Sequence, residues 1–165
     1  MSKFKVKRIL QYAKYAAIAT GSSVKTILLM NRNHRNGVMR APFLRGISLL
    51  ECSKYARLAA ERLSRAQYSP APAWDLGEKN RVIRNIEGDL EKFVDDLVPG
   101  KSIVVFYNSW SRFNKENRIG THAALYLGRE RDIYLAEQYF LSQRAVPYSS
   151  LKKRGFTAKQ ILAPK

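Results

Sequence analysis

Three short apolar runs follow one another in the C-terminal half, and their order constrains the fold more than any other feature. "SIVVFYN" at 102–108 and "IYLAEQYF" at 133–140 are rich in β-branched and aromatic residues, and "THAALYLG" at 121–128 alternates as strands do. The turn "RERD" alone separates the last two runs, which predicts an antiparallel hairpin. We therefore expect a mostly antiparallel sheet here.

The N-terminal half is predicted to be helical. Apolar residues at helical spacing predict helices over 4–19, 49–63 and 80–97. Helices followed by strands are typical of an α+β domain. We interpret 1–165 as a single domain with a basic helical N-terminal region (1–47), a core (48–140) and a basic, partly helical C-terminal tail (141–165).

The charge distribution is strongly asymmetric. The net charge is +17, and the first acidic residue is Glu51. Such a field attracts nucleic acid, an anionic membrane face or the anionic polymers of a bacterial envelope. The sequence contains no run of about 20 apolar residues, so no transmembrane segment is predicted. Gln11 and Lys14 interrupt the apolar part of the N-terminus, so we expect no signal peptide.

Cys52 is the one cysteine of the chain, so no intramolecular disulfide can form. Ser48 and Glu51 have the spacing of a capping box, which predicts a helix start with Cys52 about one turn inside. A helix N-terminus favours the thiolate, but the charge of Glu51 opposes it, so a reactive thiol needs a histidine partner. The alternative is a cysteine that serves as a small buried hydrophobe.

His122 begins a predicted strand and is the stronger of two histidine candidates. The other, His34, lies in the polar loop predicted at 31–37, and we interpret it as a surface residue. With the hairpin turn centred near Arg129 and Glu130, His122 lies opposite either Glu137 or Gln138. Either side chain can orient an imidazole. Cys52, His122 and one of these residues would form a nucleophile, base and orienter.

The motifs resemble those of papain-like bacterial cell-wall hydrolases, the CHAP and NlpC-like enzymes. "ECSKYARLAAERL" is similar to their cysteine helix, "PGKSIVVF" to their Pro-Gly-Asp-x-Val-Phe strand entry, "THAALYLG" to their histidine strand and "IYLAEQYF" to the strand ending Ser-Glu-x-Asn. The resemblance implies a papain-like fold with Cys52 as nucleophile, His122 as base and Glu137 as orienter. The chain departs from the family motifs at Glu51, Lys54, Lys101 and Tyr139.

The resemblance also implies a reaction and a substrate. The enzyme would be a cysteine peptidase or amidase that cleaves peptidoglycan, within the stem peptide or at its junction with muramic acid, through a thioester. The loop "NSWSRFNKENR" would line the substrate, with Asn108, Trp110 and Phe113 as candidates. Without a signal peptide, the protein would act as a phage lysin, a virion-borne enzyme or an injected antibacterial effector.

Two other function classes stay open. A basic chain of this kind could be a non-catalytic nucleic-acid-binding or virion-packaged protein, although no helix-turn-helix, RNP or zinc-finger signature supports this. A papain-like enzyme could instead act on protein substrates. No metal site and no cofactor are expected, because one cysteine and two histidines lack ligand spacing and no phosphate-binding glycine loop is present.

Overall fold

The computed structural model describes residues 34–35, 38–40, 51–129, 131–139 and 142–165. These form an α+β structure with an antiparallel sheet, which confirms that part of the predicted fold class. The strands are β1 His34–Arg35, β2 Val38–Arg40, β3 Arg81–Gly88, β4 Ile103–Asn108, β5 His122–Arg129, β6 Ile133–Tyr139, β7 Ser142–Pro147 and β8 Phe156–Ala163. The helices are α1 Cys52–Ser64, α2 Leu76–Lys79, α3 Arg112–Asn117 and α4 Tyr148–Lys153, with a 3₁₀ helix over Leu90–Asp96.

The strands of the described residues lie in the order β1-β2-β7-β6-β5-β4-β8-β3, and every neighbouring pair is antiparallel. Six strands, from β7 to β3, form the body of the open sheet, and the two short strands extend one edge. Strands β4, β5 and β6 coincide with the three apolar runs of the sequence. In the sheet, β5 lies between β4 and β6, so the N-terminal end of β5 has one of these strands on each side.

The segment 80–97 is not the helix that its spacing predicts. It forms strand β3 and the 3₁₀ helix instead. Apolar residues four apart, such as Val82 and Ile86, fit an even strand spacing as well as a helical one. Their β-branched side chains favour the extended chain, and pairing with β8 satisfies the backbone hydrogen bonds. Gly88 then ends the strand at a φ of 103°, a conformation that other residues rarely adopt.

Within the C-terminal segment 141–165, the described residues 142–165 belong to the core, contrary to the division predicted from the sequence. It supplies β7, α4 and β8, and β8 lies inside the sheet between β4 and β3. The predicted polar loop 31–37 contains strand β1, and the polar loop after β4 contains the short helix α3. The predicted helix at 4–19 lies outside the described residues.

Two apolar clusters occupy the two faces of the sheet. On one face, α1 packs against β5 and β6, and its Ala56, Ala59 and Ala60 let the helix approach the strands closely. The 3₁₀ helix and α4 cover the other face with Leu90, Tyr148 and Leu151. The first turn of α1 is thereby held near the start of β5. In the described part of the chain, we find no helix that has both the length and the hydropathy to cross a membrane.

Candidate active site

Cys52 is the first residue of α1, not a residue one turn inside the helix. Glu51 occupies the N-cap position and makes no side-chain capping bond. The capping box predicted from Ser48 and Glu51 is therefore wrong, since its acid belongs three residues inside the helix; Ser48 itself lies outside the described residues. The Glu51 carboxylate instead pairs with the Lys54 ammonium at 3.1 Å, which offsets the negative charge beside the thiol.

The Cys52 thiol is buried and forms a hydrogen bond with His122. Burial raises the pKa of this thiol, but the hydrogen bond and charge of His122 outweigh it, together with hydrogen bonds from the backbone N–H groups of Ala123 and Ser53. The net effect is a pKa below the ordinary value of 9.0. The site therefore favours the thiolate, which is the nucleophilic form of cysteine.

His122 is buried at the start of β5, with 4% of its surface exposed. Its Nε2 lies 2.6 Å from Oε2 of Glu137. Because Nε2 faces the carboxylate, Nδ1 is the ring nitrogen left for the thiol of Cys52. Burial lowers the pKa of His122, but hydrogen bonds and charges from Cys52 and Glu137 raise it to about 9. With a pKa of about 9, the ring is an imidazolium at neutral pH, hydrogen-bonded to Cys52 and to the Glu137 carboxylate.

The register of the hairpin differs from both predicted alternatives. Leu125 pairs with Ala136, and a bulge near Gly128 shifts the pairing so that Arg129 lies opposite Ile133. The turn is therefore centred later than the sequence predicts. Neither Glu137 nor Gln138 lies directly opposite His122; Glu137 reaches the imidazole as a diagonal neighbour on the same face.

Gln138 points to the other face of β6, because successive strand residues alternate. It is buried there, 5% exposed, on the side of the sheet that α1 covers. Of the two orienters that the sequence leaves open, Glu137 is therefore the one in contact with His122. The prediction that the orienter lies directly opposite His122 is wrong. The alternation of strand residues nevertheless places Glu137 and Gln138 on opposite faces of β6.

Two arginines complete the surroundings of Glu137, and sequence analysis missed both. Arg144 donates from Nε to Oε1 at 2.8 Å, and Arg154 donates from Nη2 to the same oxygen at 2.7 Å. The carboxylate has no exposed surface. Burial raises the pKa of Glu137, but His122, Arg154 and Arg144 together lower it to about 2. Arg144 is the Cα partner of Glu137 across β6 and β7, so a hairpin over "EQYFLSQR" would have predicted this contact. No local pattern in the sequence predicts the contact with Arg154.

Aromatic rings pack around the imidazole. The Phe156 ring lies 4.9 Å from that of His122, and Tyr139 meets it edge-on at 6.2 Å. Phe106, the Cα partner of His122 across β4 and β5, lies at 6.3 Å. These rings exclude water and limit the rotation of the histidine. The sequence offered no direct signal for Phe156, because it belongs to the segment interpreted as a tail.

A groove of about 470 Å³ is lined in part by Cys52. Its floor includes Ser53 and Thr121, and one wall is the "SPAPAW" segment with Trp74 at its rim, 61% exposed. Gly120 lets this wall approach the sheet, since a Cβ there would meet the carbonyl oxygen of Ala73 at 2.6 Å. The groove was not predicted from the sequence.

The predicted substrate-lining residues lie elsewhere. Trp110 and Phe113 are 73% and 66% exposed around α3, and neither lines the groove. Asn108 caps the local turn by accepting a hydrogen bond from the backbone N–H of Trp110 at 2.9 Å. Trp110 packs against Gly155, where an added Cβ would come within 2.6 Å of the indole. Trp74 is the aromatic residue that borders the groove.

Within the described ranges, no group of histidine, cysteine, aspartate and glutamate is arranged to hold a metal ion. His34 lies in strand β1 rather than in a loop. Comparisons with protein-family models, with curated proteins and with solved structures find no match for this chain. Function is therefore inferred from the geometry around Cys52 and from the resemblance of its motifs.

Proposed function

We propose that this protein is a cysteine-dependent amide hydrolase of the papain-like type. The observation that carries the proposal is the position of His122, which is hydrogen-bonded to Cys52 on one side and to Glu137 on the other. A nucleophile, a base and an orienter in one connected row are the parts that acyl transfer needs. The groove that Cys52 lines supplies the remaining requirement, which is space for a substrate.

The reaction would begin with attack of the Cys52 thiolate on an amide carbonyl carbon. In this mechanism the backbone N–H of Cys52, which opens α1 and has no intrahelical acceptor, donates a hydrogen bond to the oxyanion that forms. His122 then donates its Nδ1 proton to the leaving amine as the C–N bond breaks, which gives a thioester. Neutral His122 next removes a proton from water, the hydroxide attacks the thioester, and the carboxylic acid leaves as Cys52 thiolate is restored.

Peptidoglycan is the substrate class that we propose, cleaved in the stem peptide or at the muramic acid junction. The net charge of +17 favours binding to a wall rich in carboxylates and anionic polymers. Arg57 and the ion pair of Lys54 with Glu51 line the groove beside an apolar wall of Pro70, Pro72 and Trp74. The net charge of these groups is positive, which suits a peptide with acidic groups. The protein would reach the wall as a phage lysin, a virion-borne enzyme or an injected antibacterial effector.

Digestion of purified sacculi tests this proposal directly. Sacculi treated with the protein should release soluble fragments whose masses identify the bond that is cut, and Cys52→Ala should release none. Hydrolysis of denatured protein substrates with intact sacculi would favour a papain-like enzyme that acts on proteins. No amide cleavage, combined with DNA binding that weakens log-linearly with salt, would favour the non-catalytic alternative.

A further inference from the structure

The environment of Glu137 is unusual in having two arginines on one carboxylate oxygen. Oε1 accepts hydrogen bonds from Arg144 and Arg154, while Oε2 accepts from His122. A carboxylate with no exposed surface is costly unless each oxygen is satisfied. Because both arginines bind Oε1, rotation of the carboxylate would break two charge-assisted hydrogen bonds, and Oε2 stays directed at the imidazole.

The two arginines come from different elements and are themselves held in place. Arg144 lies on β7, directly opposite Glu137, and Arg154 follows α4. Their guanidinium carbons lie 4.9 Å and 4.3 Å from the centre of the Tyr139 ring, so this ring stacks with both. Arg154 also lies over Phe156 at 5.5 Å, and Phe156 contacts the imidazole. The rings of Tyr139 and Phe156 therefore hold the two arginines and His122 in place together.

We propose that Arg144 and Arg154 are positioning residues for the reaction: they lock the carboxylate of Glu137 so that it holds His122 aligned with Cys52. This inference rests on the proposed function, and it goes further by making the C-terminal segment part of the active site. An orienter clamped by two fixed cations stays ionised in acid. The thiolate–imidazolium pair then persists at a pH at which an unclamped buried glutamic acid would be neutral.

The charged and titratable groups around Glu137 come from each element packed against it. They are His122 on β5, Arg144 on β7, Arg154 after α4, and Tyr55 on α1, whose hydroxyl is buried and whose pKa is raised by burial and by the charge of Glu137. Cys52 acts through His122. The arginines are thus the cations other than the histidine that hold Glu137 as an anion.

The test measures thiolate reactivity, which does not require hydrolysis. The rate of Cys52 alkylation by iodoacetamide is followed against pH in wild type, Arg144→Met and Arg154→Met. In each variant, the rise of the alkylation rate with pH should shift upward by about one pH unit. The rate at a given acidic pH is then roughly tenfold lower than in wild type. Arg144→Lys and Arg154→Lys should restore most of the wild-type profile, because they keep the charge. Arg84→Met, which removes an exposed arginine paired with Asp96 at 2.8 Å, is the matched control and should change nothing.

Folding is checked by circular dichroism, and if the Met variants do not fold, Arg144→Gln and Arg154→Gln are judged by the same criterion. A lowered melting temperature with an unchanged alkylation profile and unchanged kcat would overturn the proposal and leave a purely structural ion pair. A shifted profile in a protein that does not hydrolyse sacculi would support the clamp while rejecting peptidoglycan as the substrate. The two failures are therefore distinguishable.

Discussion

Oε2 of Glu137 lies 2.6 Å from Nε2 of His122, across a diagonal between β6 and β5. Both groups are buried, so the contact is not weakened by solvent. A short charge-assisted bond of this kind fixes the ring orientation and leaves Nδ1 toward Cys52. The reactivity of the thiol therefore depends on a residue that never touches it.

Replacement of Cys52 by alanine should abolish amide cleavage and leave the fold intact. The thiol is the proposed nucleophile, and its removal takes away only one small buried atom from the start of α1. Release of peptides from sacculi and the circular dichroism melting curve would be recorded together. Full activity in Cys52→Ala would reject the proposed mechanism, whereas a change confined to stability would show that the cysteine is packing material.

The pH dependence of the site follows from the opposed shifts of its two partners. The pKa of Cys52 lies below its ordinary value of 9.0, and that of His122 is raised to about 9. Iodoacetamide should therefore alkylate Cys52 with a midpoint below 9.0, and hydrolysis should fall as pH rises through about 9, where His122 loses its proton. His122→Ala should raise the alkylation midpoint, because it removes the hydrogen bond and the charge that most lower the thiol pKa. Identical midpoints in the two proteins would show that no ion pair exists.

Glu137→Gln should lower turnover by roughly ten- to ten-thousand-fold, with little change in KM. An amide orients the imidazole but does not stabilise its positive charge. Gln138→Ala, on the other face of β6, is the matched control and should have a mild effect on turnover. A larger loss of turnover in Gln138→Ala than in Glu137→Gln would indicate that Gln138 orients His122, which would contradict the structure.

Glu137 should also control stability in acid. Its pKa of about 2 in the folded protein lies below the ordinary 4.5, so ionised Glu137 stabilises the fold above pH 4.5 and this contribution is lost as pH falls through about 2. Glu137→Gln should be less stable at neutral pH, since two arginines lose their counter-charge, and its stability should vary less below pH 4.5. Urea unfolding at several pH values measures both effects; parallel curves for the two proteins would contradict the assignment.

Trp74→Ala should raise KM for wall fragments several-fold, because Trp74 borders the groove beside Cys52. Trp110→Ala and Phe113→Ala remove aromatics that are equally exposed but do not line this groove, and they serve as matched controls. Steady-state kinetics on soluble fragments separates KM from kcat. If Trp110→Ala raises KM and Trp74→Ala does not, the substrate binds along α3, as the sequence alone suggests.

Gly120→Ala should destabilise the protein by about 1–3 kcal/mol and lower activity, because the new methyl group meets the carbonyl oxygen of Ala73 and Cγ1 of Val105 at 2.6 Å and 2.8 Å. Either the groove wall or β4 must move to admit it. Gly88→Ala also adds a methyl group, but in open space and at a positive φ, so its cost comes from backbone strain alone. The contrast is measured by thermal unfolding and by kcat; loss of activity in Gly88→Ala alone would reject the role of the groove wall.

The sequence by itself determined the strands β4, β5 and β6 and the association of Cys52 with a helix start, because these depend on local patterns. The predicted turn position also restricted the orienter to Glu137 or Gln138, but it did not give the contact itself, because the turn is centred later than predicted and the pairing is irregular near Gly128. The helix predicted over 80–97 is wrong because the spacing of its apolar residues fits a strand as well as a helix. Pairing with a distant strand, β8, selects the extended structure.

Only the tertiary structure decided what surrounds these residues. Arg154 and Phe156 are far from Glu137 and His122 in sequence, and they reach the site because β8 inserts between β4 and β3. The groove wall around Trp74 likewise depends on the close approach at Gly120. Such contacts arise from long-range strand pairing and from which surfaces are buried together, and no local pattern of residues specifies them.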